Sequence, residues 1–381
     1  MKGMEWKVHN PAGADRVIVT RELPGTRWLE ILVGAGCRVE VCTSEALLKE
    51  SEIASAMGEQ CRGVIGQLTE AWGDALFEAL SRAGGKAYSN YAVGYNNLHL
   101  DSATQKGIPV GNTPGVLTET TAELAVALTF AAARRVVESD RYMRGGKFRG
   151  WSPSLFLGML LRRKTLGIIG AGRIGSAYAR MMAEGHRMDV IYFNRRPRPD
   201  FERAIRAYGD YLLSQGEVPV TCRRAETLDQ LLQTADVVSL HTILSETTRH
   251  MIGKKQLSRM KADAILVNTG RGPVLDEAAL VEHCRTHPEF RAALDVFEDE
   301  PKMKSGLADL PNVVLVPHIG SATRWTREGM AVLAAANVAG MIGGLPAWNR
   351  EDISPFLGPH PPKAAPSIVN AEALGIPLYA G

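Results

Sequence analysis

Cysteine is scarce, with five residues in a chain of 381, at Cys37, Cys42, Cys61, Cys222 and Cys284. They form no Cys-x-x-Cys pair and no zinc-type spacing, which excludes a disulfide scaffold and points to reduced thiols inside a cell. The nine histidines make no ligand cluster, so no metal is expected. Excess charge is nearly absent too. A net charge of +3 is too slight for the electrostatic footprint of a nucleic-acid binder, and no nucleic-acid partner is expected. Long apolar runs are also missing: residues 122–133 carry Glu123 and are too short to span a bilayer, so no membrane partner is expected. Residues 1–13 lack the apolar core of a secretory signal. What remains is an ordinary globular composition, 45% hydrophobic and 22% charged, long enough for two domains.

The most informative stretch is Thr165-Leu166-Gly167-Ile168-Ile169-Gly170-Ala171-Gly172-Arg173-Ile174-Gly175. An apolar, β-branched run stops at Gly170, a helical pattern begins near Ser176, and a second strand pattern follows at 189–194. In this G-x-G-x-x-G arrangement Gly170 turns the chain sharply, Gly172 lets the backbone approach a pyrophosphate, and Gly175 lets the helix pack on the strand. The helix start offers free N–H groups and a positive dipole end to a phosphate. A dinucleotide site is expected here.

Strand patterns at 17–20, 38–41, 63–66, 86–89 and 109–111 alternate with helical patterns at 26–32, 50–57 and 74–83. That alternation predicts βαβ units and a parallel sheet covered on both faces. One long helix is expected over 117–144, and further strands at 189–194, 218–222, 236–241, 264–268, 292–296 and 313–316. A last helix is expected over 324–341, followed by a proline-rich irregular tail. The fold class is α/β: two Rossmann-like or flavodoxin-like lobes with parallel sheets, the cofactor lobe inserted into a discontinuous substrate lobe. The expected boundaries are residues 1–117 with 322–381 for the substrate-binding domain, and 118–321 for the dinucleotide-binding domain.

Three strand ends stand out, because such sheets bind ligands at their carboxyl edges. They are Asn268-Thr269-Gly270-Arg271-Gly272, Asp295-Val296-Phe297-Glu298-Asp299-Glu300-Pro301, and Pro317-His318-Ile319-Gly320. Through them the sequence resembles the D-2-hydroxyacid dehydrogenase family, over about residues 16–344. Within that family it is similar to the plant-type hydroxypyruvate reductases. The likeness is carried by Tyr91-Ala92-Val93-Gly94-Tyr95-Asn96-Asn97, residues 170–180 and 268–282, Trp325-Thr326-Arg327-Glu328-Gly329-Met330, and the tail Ala365-Pro366-Ser367-Ile368-Val369-Asn370. Tails of this kind are not general in the family.

The resemblance implies that Arg271, Glu300 and His318 are the catalytic residues. Their chemistry suits reduction of a 2-keto acid. The planar fork of Arg271 matches carboxylate and carbonyl oxygens better than a lysine would. An imidazole at His318 is suited to proton donation near neutral pH, and Glu300 on its other nitrogen favours the charged ring. The implied reaction is reduction of hydroxypyruvate to D-glycerate, with glyoxylate to glycolate as a side activity. Implied cofactor contacts fall on Gly170, Gly172, Arg173, Ile174, Gly175, Asn194, Arg195, Arg196, His241, Thr242, Thr269, Gly270, Asp295 and Gly320, with Asp295 at the nicotinamide end. Val93 and Gly94 match the loop whose N–H groups face the substrate carboxylate. Trp151 matches loosely a residue that reaches a neighbouring subunit's site; packing in its own chain is the other reading.

The acidic residue expected about twenty positions past the glycines, where the adenosine ribose binds, is replaced by Asn194, followed by Arg195 and Arg196. Asparagine does not repel a 2′-phosphate and the arginines can pair with one, so NADH, NADPH or both are expected as cofactors. A homodimer is expected from the family. The expected location is an organelle, mitochondrion or peroxisome, with the peroxisome disfavoured by an ending in Leu378-Tyr379-Ala380-Gly381 rather than Ser-Lys-Leu. Two alternatives stay open: another D-2-hydroxyacid dehydrogenase, and a nucleotide-gated, corepressor-like binding protein, which keeps the same Arg, Glu and His.

Overall fold

The computed structural model describes residues 5–380; residues 1–4 and 381, the extreme ends of the first expected domain, lie outside the described residues. The chain divides into two compact units, Met1–Leu117 with Ala322–Gly381, and Thr118–Ser321.

The first unit holds β1 (Trp6–His9), β2 (Asp15–Val19), β3 (Cys37–Cys42), β4 (Gly63–Gly66), β5 (Ala87–Asn90) and β6 (Val110–Gly111) in the sheet order β1-β3-β2-β4-β5-β6. Strands β2 to β6 run parallel, in the flavodoxin-like order. The wholly parallel sheet that was expected is broken at its edge, where β1 pairs antiparallel with β3, Trp6 opposite Cys42 and His9 opposite Val39. An edge strand with no fully buried residue needs no apolar run, so its Trp-Lys-Val-His sequence gives little signal. Helices Glu50–Met57 and Asp74–Arg82 bury Ile53, Met57, Leu76, Phe77 and Leu80 with Trp72 and Tyr88. Helix Arg324–Ile342 packs on helix Arg27–Gly34 and on β4 and β5. Beyond it the tail is irregular, as expected, tied by short bridges such as Gly111 to Ile368 and Ala347 to Ala365.

The second unit holds β7 (Thr165–Ile169), β8 (Asp189–Phe193), β9 (Cys222–Arg224), β10 (Val237–Leu240), β11 (Ile265–Asn268), β12 (Arg291–Leu294) and β13 (Val313–Leu315). Their order is β13-β12-β11-β10-β7-β8-β9, and every pairing is parallel. The order reverses between β7 and β10, which opens a ligand crevice at the carboxyl ends of the strands there. Both faces are covered by apolar clusters, one around Leu231, Leu257 and Leu280, the other around Ala125, Tyr178 and Met182. Tyr178 is fully buried, and its hydroxyl lies 2.7 Å from Thr129 Oγ1, so its polar end is satisfied.

Two expected elements differ. The strand placed at 218–222 forms at Cys222–Arg224, because Pro219 has no N–H to offer a ladder. The single helix over 117–144 is two, Thr118–Ala133 and Val136–Arg144, broken where Arg135 takes a left-handed φ of 54°. Glu138 fixes the break by accepting from Arg135 Nη2 at 2.6 Å and Arg291 Nη1 at 2.8 Å.

Candidate active site

Strand β7 ends at Gly170, whose φ of 96° only glycine takes readily. A Cβ at Gly175 would lie 2.3 Å from the Gly170 carbonyl oxygen, so a side chain there would push helix Arg173–His186 off the strand. A Cβ at Gly172, the N-cap of that helix, would meet nothing within 4 Å. The turn is therefore tight on its inner side and open at the helix start, the shape that admits a pyrophosphate. Thr269, at the end of β11, is 7% exposed and its Oγ1 is buried without a partner, which suits a polar ligand in the same crevice. Gly270 lies against the end of β10, its would-be Cβ 3.4 Å from the Thr242 carbonyl oxygen. Burial pushes the His241 imidazole down to about 3, so it is neutral at pH 7, with Nε2 2.8 Å from Ser239 Oγ.

At the end of β8, the Asn194 side-chain amide donates to the Arg196 carbonyl at 2.8 Å. Arg224 of β9 donates to the Asn194 and Arg195 carbonyls at 2.9 and 3.1 Å, pinning a turn whose Arg195 and Arg196 are exposed. The residues present fit a dinucleotide, including one bearing a 2′-phosphate. Among the described residues no group of three or more His, Cys, Asp or Glu is placed to hold a metal ion.

The ends of β11, β12 and β13 bring Arg271, Glu300 and His318 together. Arg271 is half-buried, and its Nη1 donates to the Gly270 carbonyl at 2.8 Å. Burial pulls its pKa below the usual guanidinium value, and the charge of Glu300 opposes that pull. Glu300 Oε2 lies 2.9 Å from His318 Nδ1, while its Oε1 accepts the Phe297 N–H at 2.9 Å. Burial raises the Glu300 carboxyl, but the hydrogen bond and charge of His318 outweigh it and hold the group below the usual carboxylate range. With Nδ1 committed to Glu300, Nε2 is the ring nitrogen available for proton transfer.

His318 takes a left-handed φ of 53°, held by its N–H, which donates to the carbonyls of Asp295 and Val316 at 2.9 and 3.1 Å. Asp295, 1% exposed, accepts the next two N–H groups, from Ile319 at 2.6 Å and Gly320 at 2.8 Å. Burial raises its carboxyl above the usual range despite those hydrogen bonds. Asp295 and Gly320 thus form the frame of the histidine loop.

Glu277 was not singled out from the sequence. It is buried, and its carboxylate accepts the N–H groups of Glu298 and, at 3.3 Å, Lys304, bracketing the loop that carries Glu300. In the sequence it looks like an ordinary acid in the first turn of helix Glu277–Thr286, after the N-cap Asp276. Val93 and Gly94 belong to the other unit, where the amides of Asn112 and Asn90 donate to their carbonyls at 2.8 and 2.9 Å. Trp151 is 85% exposed, so the packing reading is not met within its own chain.

A dinucleotide crevice beside an arginine and a carboxylate-bound histidine is the arrangement of a nicotinamide-dependent dehydrogenase. Residues 126–320 match the D-isomer specific 2-hydroxyacid dehydrogenase NAD-binding domain. The chain is 57% identical to a glycerate dehydrogenase of Cucumis sativus, over 98% of this chain and 99% of the relative. It is 56% identical to a peroxisomal glycerate dehydrogenase of Arabidopsis thaliana, over 99% of both. Among solved structures, an NADPH-dependent glyoxylate/hydroxypyruvate reductase of Sinorhizobium meliloti, crystallised with NADP and malonate, superposes with a TM-score of 0.68 at 27% identity, covering 85% of this chain and 92% of that one. The chain belongs to the D-isomer specific 2-hydroxyacid dehydrogenase family, as an NAD(P)-dependent oxidoreductase.

Proposed function

We propose that this chain reduces hydroxypyruvate to D-glycerate with NADH or NADPH, and glyoxylate to glycolate as a side activity. The observation that carries the reading is the 2.9 Å contact between His318 Nδ1 and Glu300 Oε2, with Arg271 close enough to feel the Glu300 charge. The names of the cucumber and Arabidopsis relatives support glycerate as the hydroxy acid, and the Sinorhizobium meliloti neighbour is a glyoxylate/hydroxypyruvate reductase. Bound cofactor supplies the hydride. The guanidinium of Arg271 holds the carboxylate and carbonyl oxygens of the keto acid, which orients the carbonyl carbon and polarises it. As the carbonyl oxygen becomes an alkoxide, His318 Nε2 delivers a proton to it, and Glu300 stabilises and aims the ring that does so. Val93 and Gly94 offer N–H groups to the substrate carboxylate. Asp295 serves the nicotinamide end through the loop it frames.

In this reading residues 118–321 bind the dinucleotide, with Gly170, Gly172, Arg173, Ile174 and Gly175 at the pyrophosphate and His241, Thr242, Thr269, Gly270 and Gly320 along the crevice. Asn194, Arg195 and Arg196 receive the adenosine ribose and tolerate a 2′-phosphate. Residues 1–117 and 322–381 bind the substrate. A homodimer is proposed as well, since Met143, Phe148, Trp151, Leu157 and Leu160 form an exposed apolar stretch. The organelle, mitochondrion or peroxisome, is also a proposal; the Arabidopsis relative is a peroxisomal protein.

The test is a matched pair of steady-state assays with hydroxypyruvate, one with NADH and one with NADPH, following nicotinamide absorbance. Rapid oxidation of either supports the reductase. Cofactor binding without turnover of hydroxypyruvate or glyoxylate refutes it and favours the binding-protein alternative.

A further inference from the structure

The tail beyond helix Arg324–Ile342 has no part in the site described so far, yet buried polar side chains tie it to the loop of Val93 and Gly94. Asn337, 1% exposed, accepts the Ser367 N–H at 2.8 Å and donates to the Asn112 carbonyl at 2.9 Å. A Cβ at Gly111 would lie 2.6 Å from Asn337 Nδ2, so the strand end has room for this amide only because it carries glycine. Ser367 Oγ donates to Asn112 Oδ1 at 2.6 Å, and the Ser367 carbonyl accepts the Asn112 N–H at 3.3 Å.

Asn112 then donates from Nδ2 to the Val93 carbonyl at 2.8 Å, and the N–H of Thr113 donates to the Ala92 carbonyl at 2.9 Å. In a trans peptide the N–H points opposite the carbonyl. Fixing the Ala92 carbonyl therefore sets the direction of the Val93 N–H, and fixing the Val93 carbonyl sets that of the Gly94 N–H. These are the two donors assigned above to the substrate carboxylate.

We propose that Ser367 makes the tail a positioning element for the substrate loop: Ser367 orients Asn112, and Asn112 with Thr113 aims the Val93 and Gly94 N–H groups. The proposal rests on the substrate role given to Val93 and Gly94. Asn370 separates anchoring from aiming. It holds the tail through hydrogen bonds with the Val110 N–H, Thr104 Oγ1 and the Ile108 carbonyl rather than with Asn112 or the loop.

Steady-state kinetics of the full-length chain with hydroxypyruvate test it, alongside fluorescence titration of NAD(P)H and thermal unfolding. Ser367→Ala removes one hydrogen bond that orients Asn112, so the hydroxypyruvate KM rises about two- to tenfold, with kcat and the cofactor Kd little changed. Asn112→Asp sets a carboxylate against the Val93 carbonyl and raises KM further, while Ser367→Thr, which keeps the hydroxyl on Asn112, keeps the parent KM. Asn370→Ala lowers Tm and leaves KM unchanged. Gly94→Ala, which puts a methyl group on the loop itself, reports separately on the substrate reading. If Gly94→Ala raises KM and neither Ser367→Ala nor Asn112→Asp does, the positioning role is wrong. If Asn370→Ala raises KM as much as Ser367→Ala, the tail only stabilises the unit and the proposal is overturned. If Gly94→Ala leaves KM unchanged, the substrate reading of the loop fails first. Should Ser367→Ala not fold, Asn112→Asp and Ser367→Thr carry the same comparison.

Discussion

Replacing Asp295 with asparagine separates a frame residue from a mere cofactor contact. The carboxylate is 1% exposed and accepts two N–H groups, at 2.6 and 2.8 Å, from the loop that presents His318. Asparagine keeps one oxygen and turns an NH2 group toward the other donor. One hydrogen bond to a charged acceptor is lost, worth about 1.5–3 kcal/mol, and a buried N–H is left unpaired. At about 2–4 °C per kcal/mol for a domain of this size, Tm falls by roughly 3–12 °C. The loosened loop also misplaces the His318 ring, and a displacement approaching 1 Å costs about a hundredfold in kcat. The pH dependence has a definite sign. Burial raises this carboxyl, so the folded chain binds the proton more readily than the unfolded one. Ionisation therefore costs stability, a penalty absent below the ordinary carboxylate range and complete above the raised value; Asp295→Asn removes that slope. The assay is thermal unfolding across pH beside steady-state turnover. A higher cofactor KM with Tm and its pH slope unchanged would refute the frame role.

Three further outcomes follow from the same geometry. Arg195→Ala with Arg196→Ala raises the KM for NADPH about tenfold and that for NADH less than about twofold, since each exposed arginine–phosphate contact is worth only about 0.7 kcal/mol; equal effects on both cofactors refute the 2′-phosphate reading. Glu300→Gln lowers kcat about ten- to a hundredfold with the cofactor Kd unchanged, because an amide no longer aims the His318 ring through a charged acceptor; an unchanged kcat counts against the pairing. Glu300 itself lies below the ordinary carboxylate range when folded, so its stabilising contribution is full above that range and fades as pH falls through the lowered value. Acid unfolding of Glu300→Gln therefore shows a shallower slope there than the parent chain, and an equal slope contradicts the assignment.

The second sheet and the dinucleotide turn are legible in the sequence because they rest on local signals. Fully buried parallel strands such as Ile265–Asn268 read as apolar runs, and Gly170, Gly172 and Gly175 are spaced by the turn they build. Arg271, Glu300 and His318 stand out only through the family resemblance their segments carry, since an Arg, a Glu or a His after a strand has no local signal of its own; the folded chain places Glu300 against His318. Features that depend on distant partners leave no local trace. The break at Arg135 is stabilised by Glu138 and by Arg291, 153 positions from Glu138, so helical periodicity runs straight through it. The antiparallel edge strand Trp6–His9 buries no residue fully and carries no apolar pattern. The grip of Glu277 on the Glu300 loop, and of Ser367 on Asn112 across 255 positions, are pairings of ordinary polar residues that only the folded chain brings together.

The most direct test of the account compares the parent chain with His318→Asn, measuring hydroxypyruvate turnover and NAD(P)H binding in the same preparations. If the Glu300-bound imidazole delivers the proton, kcat falls by about a hundredfold to ten-thousandfold while the cofactor Kd is unchanged. A variant that keeps kcat within about threefold of the parent would contradict the assignment of His318 as the proton donor.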